Sequence, residues 1–255
     1  MLNVIIANIR KVATELWRYL PNTLSTLVTF YAIFLMLFWG IQVLGAPEHA
    51  ATNTQYVIVS TALWFLALMA MQGIGWEITQ EAMRGTLEQL YMSPMGAWRI
   101  LLARMFGTVL VNLLMIVLMM GLSMITARAR LNLDLLSLTP ILILTILGML
   151  GVGFMVAGLS LVFKQVQSFL QIAQFIFFAL VAVPLSALPA LEFAPVVKGA
   201  DMVRGVMVEG TGLTGFSARD WLSLALNAVV YFVLGLLLYK LAERRAMNRG
   251  LLGQY

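Results

Sequence analysis

A chain of 255 residues, 62% of them hydrophobic and only 11% charged, has too little charge to coat a soluble fold, whose charged share is about 25%. The net charge of +5 fits basic residues gathered on one face of a membrane and not a nucleic-acid partner. The absence of cysteine excludes disulfides, thiolate nucleophiles and Cys-ligated zinc, and one histidine, His49, excludes a His-rich metal site.

The hydrophobic runs extend from end to end, so residues 1–255 read as one all-α integral membrane domain. Its parts are an interfacial helix over 1–21, a six-span bundle over 22–241 and a cytoplasmic tail over 242–255. Residues 2–20 place Leu2, Ile5, Ile6, Ile9, Val12, Leu16 and Leu20 at helical spacing, with Asn3, Arg10, Lys11, Thr14, Glu15 and Arg18 opposite. Such a helix lies along a membrane surface. The same stretch lacks the apolar core and small-residue cleavage site of a signal peptide.

Pro21 and Asn22 are expected to break this helix, after which six transmembrane helices follow at about 23–45, 55–76, 99–126, 138–163, 167–189 and 220–241. With the N-terminus inside, Arg10, Lys11, Arg18, Arg84, Arg99, Arg104, Lys164, Lys240, Arg244, Arg245 and Arg249 fall on the cytoplasmic side. Only Arg128, Arg130, Lys198, Arg204 and Arg219 fall outside. Both termini are therefore expected in the cytoplasm. The stretch at 190–218, half apolar and broken by Pro195 and several glycines, is expected to be a re-entrant outer hairpin between spans 5 and 6.

Residues 77–98 predict an elbow. Span 2 continues as a helix through about Arg84, and Gly85 ends it in a left-handed conformation. Thr86 with Gln89 three residues on reads as a capping box opening a two-turn helix. Ser93–Pro94 reads as the N-cap and first position of the next helix. Leu87, Leu90 and Tyr91 form one apolar stripe. A helix this short needs a partner surface, either the rest of this chain or another protein.

Glu81, the run Arg84-Gly85-Thr86-Leu87-Glu88-Gln89-Leu90 and Ser93-Pro94 resemble the signature of the type-2 ABC exporter permeases. Pro195, Asp201 and Arg204 resemble that family's element in the outer connection. The resemblance implies that two permease subunits pair above two ATPase subunits. The short helix with Tyr91 would then be a cytoplasmic coupling helix between spans 2 and 3, seated in the ATPase. ATP and Mg would sit on that separate ATPase, with no cofactor on this chain, in a cell (inner) membrane. No Gly-x-x-x-x-Gly-Lys-Ser/Thr loop occurs, so this chain is not the motor. Should residues 87–92 be buried against their own bundle, or face the extracellular side, the exporter reading goes with them.

No charged residue lies well inside a predicted span, which disfavours ion-coupled transport and intramembrane catalysis. Gln167, Gln171 and Gln174 recur at i, i+4 and i+7. They either line the route between subunits or hydrogen-bond between helices. Asn112 and Asn227 read as helix–helix contacts, and Gly148, Gly151, Gly153 and Gly158 as a close-packing face. The leading function is the permease of an ATP-driven exporter of drug-like, lipid-like or other amphipathic molecules. The alternative is a channel or facilitator without an ATPase.

Overall fold

The computed structural model of the chain describes residues 2–44, 50–94, 96–163 and 166–248. Among them all regular structure is helical. The helices are α1 (Leu2–Arg18), α2 (Leu20–Leu44), α3 (Ala50–Met83), α4 (Leu87–Tyr91), α5 (Ala97–Ala127), α6 (Leu135–Phe163), α7 (Gln167–Ala182), α8 (Val197–Met207) and α9 (Ala218–Asn248). Short 3₁₀ turns occupy Pro189–Phe193 and Leu213–Gly215. His49 and residues 249–255 of the expected tail lie outside the described residues.

Five helices, α2, α3, α5, α6 and α9, are long and apolar enough to cross a bilayer. The expected span at 167–189 is shorter than the sequence suggests. Helix α7 has 16 residues and rises about 24 Å, less than the roughly 30 Å hydrocarbon layer. Pro184 explains its end: it forces Val183 into an extended conformation (φ −79°, ψ 124°). The break after α1 falls at Tyr19, not at Pro21–Asn22. Pro21 sits in the first turn of α2, where its missing N–H has no helical partner to lose. The expected tail is also helical at its start, because α9 runs on to Asn248.

Helices α3 and α6 form the buried centre, and α2, α5 and α9 surround them. Glycines set the separations. A Cβ at Gly148 would stand 3.3 Å from the Ala228 Cα, and one at Gly158 3.3 Å from the Tyr239 Cα. One at Gly151 would meet the Tyr231 carbonyl, and one at Gly235 the Gly151 carbonyl. Helices α6 and α9 thus touch backbone to backbone, as the glycine-rich face predicts. On the other side of α6, Gly153 admits the Ala70 carbonyl of α3, 2.6 Å from where a Cβ would lie. The α1 backbone at Asn8 and Ile9 rests 3.3 Å from the Cβ position of Gly107 in α5.

The two ends of the bundle differ. At one, α4 and the chain turns beside it cap α3 and α5. At the other, Gln55 donates to the Arg130 carbonyl (2.6 Å), Tyr56 to Glu209 (2.8 Å) and the Asn132 amide to the Met207 carbonyl (2.9 Å).

Candidate functional site: the elbow and the cleft above it

Gly85 does end α3, at φ 69°. The Thr86 amide bonds back to the Glu81 carbonyl (2.9 Å) and the Gly85 amide to the Ala82 carbonyl (3.0 Å). These are the two closing bonds of a Schellman motif, which satisfy carbonyls that the helix end leaves open. The expected capping box is absent: Thr86 opens α4 without a side-chain cap. Its hydroxyl donates instead to the Glu81 carboxylate, which the Schellman turn brings beside it.

Glu81 is held from a second direction by Arg104 of α5, whose guanidinium also donates to Glu77 at 3.1 Å. Glu77 and Glu81 stand one turn apart on α3, so one cation bridges both carboxylates and fastens α3 to α5. Sequence reasoning named Glu81 but missed Glu77 and Arg104. The signal was an i, i+4 carboxylate pair at the end of one span and two basic residues, Arg99 and Arg104, in the early turns of the next.

The apolar stripe of α4 turns inward. Leu87, Leu90 and Tyr91 are buried on Ile78, Ala82 and Leu101 of their own bundle. Of the two partner surfaces the sequence allowed, the stripe takes the rest of this chain. Arg84, Gly85, Glu88, Gln89, Met92 and Pro94 are exposed. Ser93–Pro94 does not start the next helix. Gly96 adopts φ 78°, a conformation no helix interior accepts, so α5 begins at Ala97. The Tyr91 hydroxyl lies 2.9 Å from that of Tyr239 in α9. The Lys240 ammonium sits 5.2 Å over the Trp98 ring, a cation–π contact. The elbow is therefore bound to α3, α5 and α9 together.

Above the elbow, α3, α5 and α7 border an open cavity of about 440 Å³. Gln171 and Gln174 line it, while the side chain of Gln167 lies outside the described residues. Asn112 also lines this cavity. Asn227, expected between helices, donates instead to the connecting segment, at the Ala194 carbonyl (3.1 Å) after the 3₁₀ turn.

In the connection between α7 and α9, Pro195 and a left-handed Val196 (φ 68°) turn the chain into α8, whose residues are almost all buried. Arg204 donates to the Val181 carbonyl at 2.8 Å, satisfying the last turn of α7, with Asp201 3.9 Å away. Burial pushes the Arg204 pKa below its ordinary value. Burial also opposes the Lys198 charge, but its bonds to Asp220 (2.7 Å) and Glu192 (3.4 Å) outweigh that and hold its pKa above the usual value. The 3₁₀ turn reaches well along α9, since Tyr231 donates to the Phe193 carbonyl at 3.2 Å.

Five membrane-length helices among the described residues make this a multi-pass membrane protein. Residues 44–237, from the end of α2 through most of α9, match the family described as ABC-2 family transporter protein, and the chain belongs to that family. It is thus a membrane subunit of an ABC system and not its ATPase. A search of curated proteins found no match.

Proposed function

We propose that the chain is the permease subunit of an ATP-driven ABC exporter, working as a dimer and driven by a separate ATPase that binds ATP and Mg. The observation that carries this reading is the α3–α4–α5 elbow, locked to the bundle by Glu81, Arg104 and Thr86 while Arg84, Glu88, Gln89 and Met92 remain exposed. The buried stripe of Leu87, Leu90 and Tyr91 removes those three side chains from any docking surface. That burial covers one face of residues 87–92 only; Glu88, Gln89 and Met92 stay exposed, and coupling then runs through that opposite face. A knob packed on its own bundle transmits force to α3 and α5, where a loosely attached one would swing.

In this account α7 is the sixth, short span, and α8 completes its outer end. The 3₁₀ turn and α8 form the re-entrant element, which carries Pro195, Asp201 and Arg204. Helix α1 lies at the cytoplasmic surface, both termini are cytoplasmic, and the membrane is the cell (inner) membrane. Gln171 and Gln174, with Gln167 one turn before, line the route taken by an amphipathic substrate. The test is co-purification of the chain with a phosphate-loop ATPase whose hydrolysis changes on Glu88→Lys. A facilitator would bring down no such partner.

A further inference from the structure

From the cavity between α3, α5 and α7 we infer a binding site for an electrically neutral amphiphile whose headgroup carries hydroxyl or amide groups. The inference rests on the permease reading and specifies its substrate class. The volume, about 440 Å³, falls in the range of roughly 300–1,000 Å³ typical of small-molecule sites.

Its polar lining is of one kind. Gln72, Asn112, Gln171 and Gln174 supply carboxamides, and Thr79 and Thr108 supply hydroxyls. Among the described residues, no Asp, Glu, Lys, Arg or His is in the lining. None of the four carboxamide side chains makes a hydrogen bond with the described residues. Each therefore keeps donors and an acceptor for a ligand or for water. The two hydroxyls donate to their own helices, at Gly75 (2.9 Å) and Arg104 (3.2 Å), which leaves them as acceptors. Met69, Val166 and Leu170 provide the apolar wall, and Trp76 and Gln171 stand exposed at the rim.

An ion entering this cleft would shed water and meet no counter-charge. The nearest charges along the described lining helices are Glu77, next to Trp76, Glu81, two residues past Thr79, and Arg104, one turn from Thr108. Both carboxylates are already held by Arg104 and, for Glu81, by Thr86, so none of the three points a free partner into the cleft. A headgroup rich in hydroxyls meets matched partners instead, and its alkyl chain meets the apolar wall.

The test is calorimetric binding to the full chain in phosphatidylcholine nanodiscs, without ATPase and corrected against empty discs. The probes are hexyl glucoside, methyl glucoside, hexyltrimethylammonium and hexyl sulfate. Hexyl glucoside is expected to bind roughly tenfold tighter than each ionic probe, the scale of one or two hydrogen bonds, and at least about tenfold tighter than methyl glucoside, which lacks most of the alkyl chain. Gln171→Leu with Gln174→Leu should lower that affinity by a similar factor without changing the melting temperature. Asn112→Asp should strengthen hexyltrimethylammonium binding, a gain that a misfolded variant would not show. Absence of glucoside binding, an ionic probe or methyl glucoside binding as tightly, or indifference to the Leu pair would overturn the inference. Because no ATPase is present, such a failure leaves the coupling account untouched, and loss of ATPase association leaves this result untouched.

Discussion

The Tyr91 hydroxyl of α4 and the Tyr239 hydroxyl of α9 meet at 2.9 Å, both on buried residues 148 positions apart in the chain. This bond ties the elbow to the last helix of the bundle. Tyr91→Phe leaves the Tyr239 hydroxyl without this partner in a buried seam, at a cost of about 1–3 kcal/mol. The double variant Tyr91→Phe/Tyr239→Phe should recover part of the loss. A double-mutant cycle on melting temperatures in nanodiscs measures it, and additive losses would show that the two hydroxyls do not interact.

Arg104 carries the link between α3 and α5. Arg104→Gln leaves Glu77 and Glu81, one turn apart, without their common cation. We expect a loss of about 1–3 kcal/mol, the value of charge-assisted hydrogen bonds at a half-buried site. Adding Glu81→Gln should restore part of the stability, while the Thr86 hydroxyl then donates to a neutral, weaker acceptor. Urea titration and ATPase coupling, measured on the same variants, separate the two effects.

The α6–α9 seam has no room for a side chain. Gly151→Ala would push a Cβ into the Tyr231 carbonyl and Gly235→Ala into that of Gly151. Each should destabilise by about 3 kcal/mol, the upper end of the overpacking range. Gly121→Ala, with open space around it, is the matched control and should be neutral or slightly stabilising. Thermal unfolding in nanodiscs compares the three.

Asp134 precedes α6 and accepts from the Leu136 amide and the Ser137 hydroxyl. The Ser137 side-chain bond, first, holds its pKa below the ordinary aspartate value. A depressed folded-state pKa contributes stability above the unfolded value, near 3.9, that is lost as pH falls through the folded one. Asp134→Ala should therefore lower the melting temperature at neutral pH and show less further loss on acidification. A pH series of melting curves checks the sign.

Much of this fold was legible because apolar length and glycine chemistry are local signals. The long spans, the amphipathic α1, the stop at Gly85 and the small-residue face of α6 all follow from residues a few positions apart. What failed depended on which of several possible partners the folded chain brings close. Thr86 and Gln89 satisfy the capping-box pattern, yet Glu81 takes the Thr86 hydroxyl because the Schellman turn places it closer. The stripe of Leu87, Leu90 and Tyr91 marks a buried face without saying which surface buries it. Arg104 and Lys198 looked like counts in a topology tally, whereas each anchors two carboxylates. Pro184 was the available signal that α7 stops early.

The central claim is that α4 grips an ATPase through the face turned away from its own bundle, and paired variants on the two faces test it most directly. Glu88→Lys with Gln89→Lys, on the exposed face, should leave stability within about 0.5 kcal/mol and abolish both ATPase co-purification and substrate-stimulated hydrolysis. Leu87→Ala, at a side chain 1% exposed, should cost about 2–5 kcal/mol of stability while folded molecules still bind the ATPase. An ATPase that binds the Lys pair as tightly as the unaltered chain would contradict the account.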